Sequence, residues 1–159
     1  MKFMLDTNAY NQLLDNEISV DDLNGEFFTT HIQEDELNNT KKEERRRLLN
    51  AKFKEIHLKE LPTESGVWNI SKWNKFKWSS SNGSKNVYHN LLESLEKAKP
   101  KDRGNIRDAL IGETAIKNEF ILVTNDVALQ NAVKETYPYA QVPIDFAEFI
   151  EVMKNEKRN

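Results

Sequence analysis

A chain of 159 residues with 23 Lys and Arg against 26 Asp and Glu has a net charge of −3, which speaks against a general nucleic-acid-binding protein and confines any such contact to a local patch. Zero cysteines exclude disulfide staples and Cys-ligated zinc, and suit a reducing compartment. No apolar run approaches membrane-spanning length, no signal-peptide pattern precedes Phe3, and no Pro/Gly/Ser-rich linker divides the chain. The expectation is one cytoplasmic domain over residues 1–159.

Phe3-Met4-Leu5 reads as a short buried strand, ended by Asp6-Thr7-Asn8, after which Tyr10, Leu13 and Leu14 take helical spacing. Asp6 therefore falls where a strand meets a helix. Ser19 caps a short acidic turn that Asn24-Gly25 closes. Phe27 to Ile32 is the second predicted strand, and Gln33 to Asn50 a polar helix with Glu34, Asp35 and Glu36 near its start. Phe53 to Leu58 suits either a third strand or the tail of that helix. The mixed-sign run Lys41 to Arg47 reads as a solvated helix face.

Leu61-Pro62 breaks the pattern, and residues 66–78 then interleave Trp68, Trp73 and Trp78 with cations. In this stretch Lys72, Trp73, Lys75, Lys77 and Trp78 are candidate RNA contacts, since aromatics stack on unpaired bases and lysines meet phosphates. A spacing of five puts the tryptophans on no single face, so a core role for some of them is the competing reading. After the loop Ser79 to Ser84, the stripe Val87, Tyr88, Leu91, Leu92 and Leu95 marks a helix that Pro100 ends. Its apolar side is a candidate surface for a partner or a homodimer.

Asn105 to Asn118 reads as a helix feeding the apolar strand Phe120 to Thr124. On a wheel at about 100° per residue, Asp108 lies near the middle of an arc shared with Ala109, Ile111, Gly112, Ala115 and Ile116. A carboxylate on the buried side needs a cation or hydrogen-bond donors, and a Lys or Arg opposite it is the plain structural answer. Thr124 or Asn125 caps a further helix, Gln141 to Ile144 forms a last strand at an edge, and Asp145 with Glu148 opens a final helix with Phe146, Phe149, Ile150 and Met153 on its core face. Strands alternating with helices predict a three-layer α/β/α fold around a mostly parallel sheet of about four or five strands. Ligands bind such sheets at the carboxyl ends of the strands, where Asp6 and Asp126 both fall.

Asp6, Glu36, Asp108 and Asp126 would bring four negative charges into one cleft, which calls for protonation or divalent metal. An oxygen-only set favours Mg²⁺ or Mn²⁺. Singly, Asp6-Thr7-Asn8 also suits a turn and Asp126 a helix cap. His31, His57 and His89 show no metal-cluster spacing and read as surface or sheet-edge residues.

In order and context, Leu5-Asp6-Thr7-Asn8, Asp35-Glu36-Leu37, Asp108-Ala109-Leu110-Ile111 with Ala115, and Leu122-Val123-Thr124-Asn125-Asp126 resemble the motifs of PIN-domain ribonucleases. The likeness covers residues 1–60 and 104–150, leaves 62–103 as an atypical insertion, and within that family points to VapC-type toxins of toxin–antitoxin pairs. The resemblance implies a PIN-like fold and a Mg²⁺/Mn²⁺-dependent endoribonuclease. Asp6, Glu36, Asp108 and Asp126 would be its metal-binding carboxylates, Asn8 and Thr124 would orient them, and Glu34 or Asp35 is close enough to replace Glu36. It also implies an RNA substrate and an antitoxin protein as partner. The alternative is a non-catalytic nucleic-acid-binding module of the same fold, and cleavage of DNA stays open because chemistry at the phosphate does not read the sugar. A phosphatase with Asp6 as nucleophile is disfavoured, because Asn8 stands where a second acid would be wanted.

Overall fold

A computed structural model of the chain describes residues 1–56, 59–67, 70–72, 75 and 85–156. Four strands, β1 (Lys2–Leu5), β2 (Glu26–Thr29), β3 (Lys59–Glu60) and β4 (Ile121–Val123), form a parallel sheet in the order β3-β2-β1-β4. Phe3 pairs with Phe27 on one side and Ile121 on the other, so β1 is central. The helices are α1 (Thr7–Asp15), α2 (His31–Asn38), α3 (Glu43–Ile56), α4 (Lys85–Ala98), α5 (Asn105–Lys117), α6 (Val127–Thr136) and α7 (Phe146–Glu156).

Alternation along the strands divides the core into two layers. Phe3, Leu5, Phe27 and Val123 pack with Tyr10 and Leu13 of α1, Leu49 and Phe53 of α3, and Phe149 of α7. Met4, Phe28 and Leu122 face the other way, onto Leu91 and Leu95 of α4, Leu110 and Ile111 of α5, and Leu129 and Val133 of α6. Both faces of the sheet are therefore covered, as the alternation of elements predicts. At about 1.5–3 kcal/mol for each large side chain buried, these two layers supply most of the folding drive.

Several boundaries differ from the sequence reading. The second strand stops at Thr29, because Thr30 caps α2: its side chain accepts from Ile32 N, while Gln33 Oε1 accepts from Thr30 N at 2.9 Å. One predicted helix from Gln33 to Asn50 is two, separated around Asn39 and Thr40. Phe53 to Leu58 resolves towards helix, since α3 runs to Ile56 and buries Phe53 and Ile56. The expected last strand shrinks to a single bridge from Val123 to Ile144, where Pro143 has no N–H to extend a ladder. Arg45, in the mixed-sign run, reaches across to α1, with Nη1 donating to Asp15 at 2.7 Å and Nη2 to Asn11 at 2.7 Å. Helix α7 has the expected face, with Phe146, Phe149 and Met153 buried.

Helix α4, inside the supposed insertion, is part of the second core layer. Leu91 and Leu95 are fully buried, Tyr88 nearly so, and Val87 and Leu92 pack against the same cluster. The apolar stripe expected to meet a partner is thus consumed inside the fold. Gly112 makes the approach of α5 possible: a Cβ there would lie 3.2 Å from Leu91 Cδ1 and 3.4 Å from Leu129 Cδ1. No helix among the described residues is long and apolar enough to cross a membrane.

If α4 is core, Leu91→Ala leaves a cavity between α4 and α5 and lowers stability by about 2–5 kcal/mol. Chemical denaturation reads this as a lower midpoint with an unchanged slope; a variant as stable as the parent would return α4 to the surface.

Candidate active site at the carboxyl edge of the sheet

Strand β1 ends at Leu5 and its chain leaves through α1 towards β2, whereas β4 ends at Val123 and leaves through α6 to the opposite edge. The two exits diverge, and a crevice opens at the carboxyl ends of the central strands. Asp6 and Thr124 face each other across it. Asp6 caps α1 in an extended conformation, its Oδ1 accepting from Thr7 N at 2.7 Å. Its Oδ2 accepts from Asn8 Nδ2 at 2.7 Å and from Thr124 Oγ1 at 2.7 Å.

Thr124 uses its whole hydrogen-bonding capacity. It donates to Asp6 and accepts from Asn8 Nδ2 at 3.2 Å and from Asp126 N at 3.0 Å. Asn8 Oδ1 accepts from Asn125 N at 3.1 Å, so Asn8 and Thr124 together tie the exit of β1 to the exit of β4. Asp126, rather than Thr124 or Asn125, caps α6: its Oδ1 accepts from Ala128 N at 2.9 Å and Leu129 N at 3.2 Å.

Glu36 reaches this group from α2, its Oε2 accepting from Thr7 Oγ1 at 2.5 Å. The neighbouring Asp35 points elsewhere, to Lys72. Asp108 comes from the first turn of α5, and its cation is Lys99, whose Nζ lies 2.9 Å from Asp108 Oδ2 and 2.6 Å from Asp126 Oδ2. The plain structural partner expected for Asp108 is therefore present. Lys99 is a residue the sequence reading did not single out, although Leu91, Leu95 and Lys99 are four apart and continue one helical stripe into the crevice.

The charges are unevenly compensated. Burial, with Asp6 only 5% exposed, raises its carboxyl to about 7; the Thr124 and Thr7 bonds pull it back, and the charges of Asp108 and Glu36 push it higher. Asp108 is raised to about 6, again by burial first, with Lys99 opposing and Asp126 and Glu36 adding to the rise. Burial also acts on Asp126, yet Lys99 and the N–H groups of α6 outweigh it and hold that carboxyl below its usual range. Lys99 is desolvated too, but its two carboxylates keep it firmly protonated.

Of the predicted residues, Asp6, Asn8, Glu36, Asp108, Thr124 and Asp126 come together. Lys72 and Lys75 do not join them: Lys72 pairs with Asp35 at 2.5 Å and Lys75 with Glu60 at 2.6 Å. Trp73, Lys77 and Trp78 lie outside the described residues, as do Trp68, His57 and the serine loop. His31 is not a surface residue but 1% exposed, with burial lowering its pKa and Nε2 accepting from Lys72 N at 3.4 Å. Among the described residues no three Asp, Glu or His side chains close a ready-made cage around one ion. The donors are nevertheless all oxygens, and a hard cation such as Mg²⁺ takes one or two carboxylates and completes its shell with water. Lys99 already marks one point in the crevice where two carboxylates hold a positive charge.

A carboxyl with a pKa near 3.8 unfolded and about 7 or 6 folded binds more protons when folded, so it favours folding at low pH and that contribution is lost as pH rises through the folded values. Without divalent cations, the melting temperature should fall between pH 5 and pH 8. Asp6→Asn should flatten that fall, at about 2–4 °C for each kcal/mol recovered. Thermal melts of parent and variant across this range check it; parallel curves would mean that Asp6 is ionised throughout.

No family model matches the sequence. No curated protein matches it either. In comparison with solved structures, the chain is similar to one in the crystal structure of VapBC2 from Rickettsia felis bound to a DNA fragment from their promoter, at 18% identity and a TM-score of 0.47, covering 91% of this chain and 98% of that one.

Proposed function

We propose that the crevice is the active site of a metal-dependent endoribonuclease, a PIN-like enzyme acting as the toxin of a toxin–antitoxin pair. One observation carries the proposal. Four carboxylates meet where β1 and β4 diverge, and among the described residues Lys99 is the only cation paired with any of them. A purely structural ion pair needs Asp108 and Lys99; it does not need Asp6 and Glu36 beside them, at a cost in burial and repulsion. The order of the four sequence motifs supplies the family reading.

Asp6, Glu36 and Asp108 would hold Mg²⁺ or Mn²⁺, with Asp126 contributing from the cap of α6. When bound, such an ion lowers the pKa of a water and offsets charge on a phosphodiester. The protein's own share is orientation. Thr7 N, Asn8 and Thr124 fix both oxygens of Asp6, and Thr7 Oγ1 fixes Glu36, so these acids need little rearrangement to accept a cation. Among the described residues, Lys99 is the cation paired with these acids and would meet an incoming phosphate. No Ser, Cys or His nucleophile is required. A toxin also implies an antitoxin that covers this crevice, and a basic side chain suits it, since Lys99 shows the charge the acids accept.

A second reading, a nucleic-acid-binding module without catalysis, is favoured by the Lys99 bridge and by the open carboxylate geometry. Cleavage of a mixed pool of cellular RNAs separates the two. The enzyme gives discrete products with Mg²⁺ or Mn²⁺ and none in EDTA, and Asp108→Asn costs at least about 100-fold, roughly 2.7 kcal/mol of barrier. Full activity of Asp108→Asn overturns the nuclease, whereas RNA binding that persists in EDTA without cleavage selects the module. For the partner, purification from the native host should yield a heteromer with a small basic-tailed protein; free monomer would remove the toxin assignment.

A further inference from the structure

A hollow of about 220 Å³ lies between α2 and α5, lined by Ile32, Asp35, Asn38, Asn39, Ile70 and Arg107. Its placement is informative. Helices α2 and α5 each give one acid to the crevice, Glu36 and Asp108, and each gives the residue just before it, Asp35 and Arg107, to the hollow. Consecutive Cα atoms are about 3.8 Å apart, so hollow and crevice share their flanking backbone. A larger hollow beside Asn125 and Val127 is lined by Asp145 and by no cation among the described residues, which suits an anionic polymer less well.

The walls are fixed. Ser71 N donates to Val67 O at 2.9 Å, Lys72 N donates to His31 Nε2 at 3.4 Å, and Lys72 Nζ pairs with Asp35, so the turn carrying Ile70 is held to α2. The same pair offsets the acid in the lining. Opposite, Asn105 Nδ2 donates to Lys99 O at 2.8 Å and Gly104 N to Asp102 Oδ1 at 2.8 Å, which anchors the first turn of α5 beneath Arg107. Arg107 is half-buried, yet it makes no hydrogen bond or ion pair among the described residues. A guanidinium left free in a fixed hollow is set for a ligand that brings acceptors.

The lining also describes that ligand. Ile32 and Ile70 offer apolar surface, whereas Arg107, Asn38 and Asn39 offer planar polar groups. The volume falls below the roughly 300–1,000 Å³ of sites for drug-sized molecules, which leaves room for one flat group. A nucleobase joins apolar faces to a polar edge, and unpaired RNA bases are recognised by stacking and by hydrogen bonds to those edges. Asn38 Oδ1 already accepts from Asn50 Nδ2 at 2.8 Å, so Asn38 joins Arg107 chiefly as a donor. Paired donors match the O6 and N7 acceptors of guanine, whereas adenine places an amino donor beside its N7.

We infer that this hollow is a base subsite: it receives one unpaired nucleobase of the RNA beside the phosphodiester to be cut, and takes guanine ahead of the other three. Arg107 reads the base, and the turn from Val67 to Lys72 closes one side of its seat. The inference rests on the endoribonuclease reading above and gives that site a sequence preference.

The test measures fluorescence anisotropy of labelled single-stranded RNA octamers on the whole protein in EDTA, with cleavage in Mg²⁺ or Mn²⁺ scored separately. Each octamer is a uridine tract with G, A, C or U at one central position. The guanosine octamer should bind the parent about 10-fold more tightly than the all-uridine one. Arg107→Ala should bind all four alike, and Arg107→Lys, which keeps the charge but not the two-pronged fork, should do so at higher affinity than Arg107→Ala. Circular dichroism monitors folding, and Asn38→Ala, at an exposed position, should narrow the preference if the Arg107 variants fold poorly. Equal affinity of the parent for the four octamers, a preference for another base, or a guanosine preference that survives in folded Arg107→Ala overturns the inference and leaves a metal-dependent nuclease standing. If base identity is ignored and Arg107→Ala instead loosens a co-purifying protein, the hollow is a protein contact and the inference falls. Absence of binding to every octamer overturns it as well, and if the RNA pool also stays uncut with metal, the nuclease reading falls with it.

Discussion

An anion closed under protein must find donors or cations, and Asp6 sets that requirement for the whole carboxyl edge of the sheet. Three groups answer it: the amide of Thr7, the amide side chain of Asn8 and the hydroxyl of Thr124. Each comes from a different constraint, the start of α1, its second residue and the end of β4. The Thr124 bond, with Asn8 Nδ2 donating to both Asp6 and Thr124, therefore also holds the exit of the central strand to that of its neighbour beyond the last ladder pair, Leu5 with Val123. Folding of the edge and preparation of the crevice are one event.

That dual use explains an otherwise wasteful placement of charge. Asp6 and Asp108 are both pushed towards neutrality by burial, and the charge of Glu36 raises each of them further. A protein selected for stability alone would replace one of them with an amide or an apolar group, since isolated buried charges rarely return their desolvation cost. Retaining them fits a site whose charge is meant to be completed by something from outside, and departures from local rules of this kind gather at functional positions.

Much of this was legible in the residues. The strands Phe3-Met4-Leu5 and Phe120 to Thr124 are short apolar runs between turn residues, and the polar groups just beyond them had to fall at the sheet's edge. The stripe through Leu91 and Leu95 was legible as a helix but not as core, because period alone does not say what covers a face. Thr30 was read into a strand for its β-branching, although with Gln33 it closes a cap that only the turn geometry reveals. Lys99 was hidden for a related reason: Asp108 demanded a cation, but 23 Lys and Arg were available and nothing local chose among them. The choice is made by the α4–α5 turn, a tertiary fact.

That turn has a kinetic consequence. Lys101 stands in the left-handed region at φ 63°, and the bonds from Asn105 to Lys99 and from Gly104 to Asp102 brace the residues on either side. The backbone beneath Lys99 has little freedom to swing out as a flap. Exchange of the ammonium for another positive group would then proceed by side-chain rotation, on a scale of about picoseconds to nanoseconds once the carboxylate contacts loosen, rather than by loop opening over about microseconds to milliseconds. The crevice is built to change its counter-ion quickly while its framework stays still.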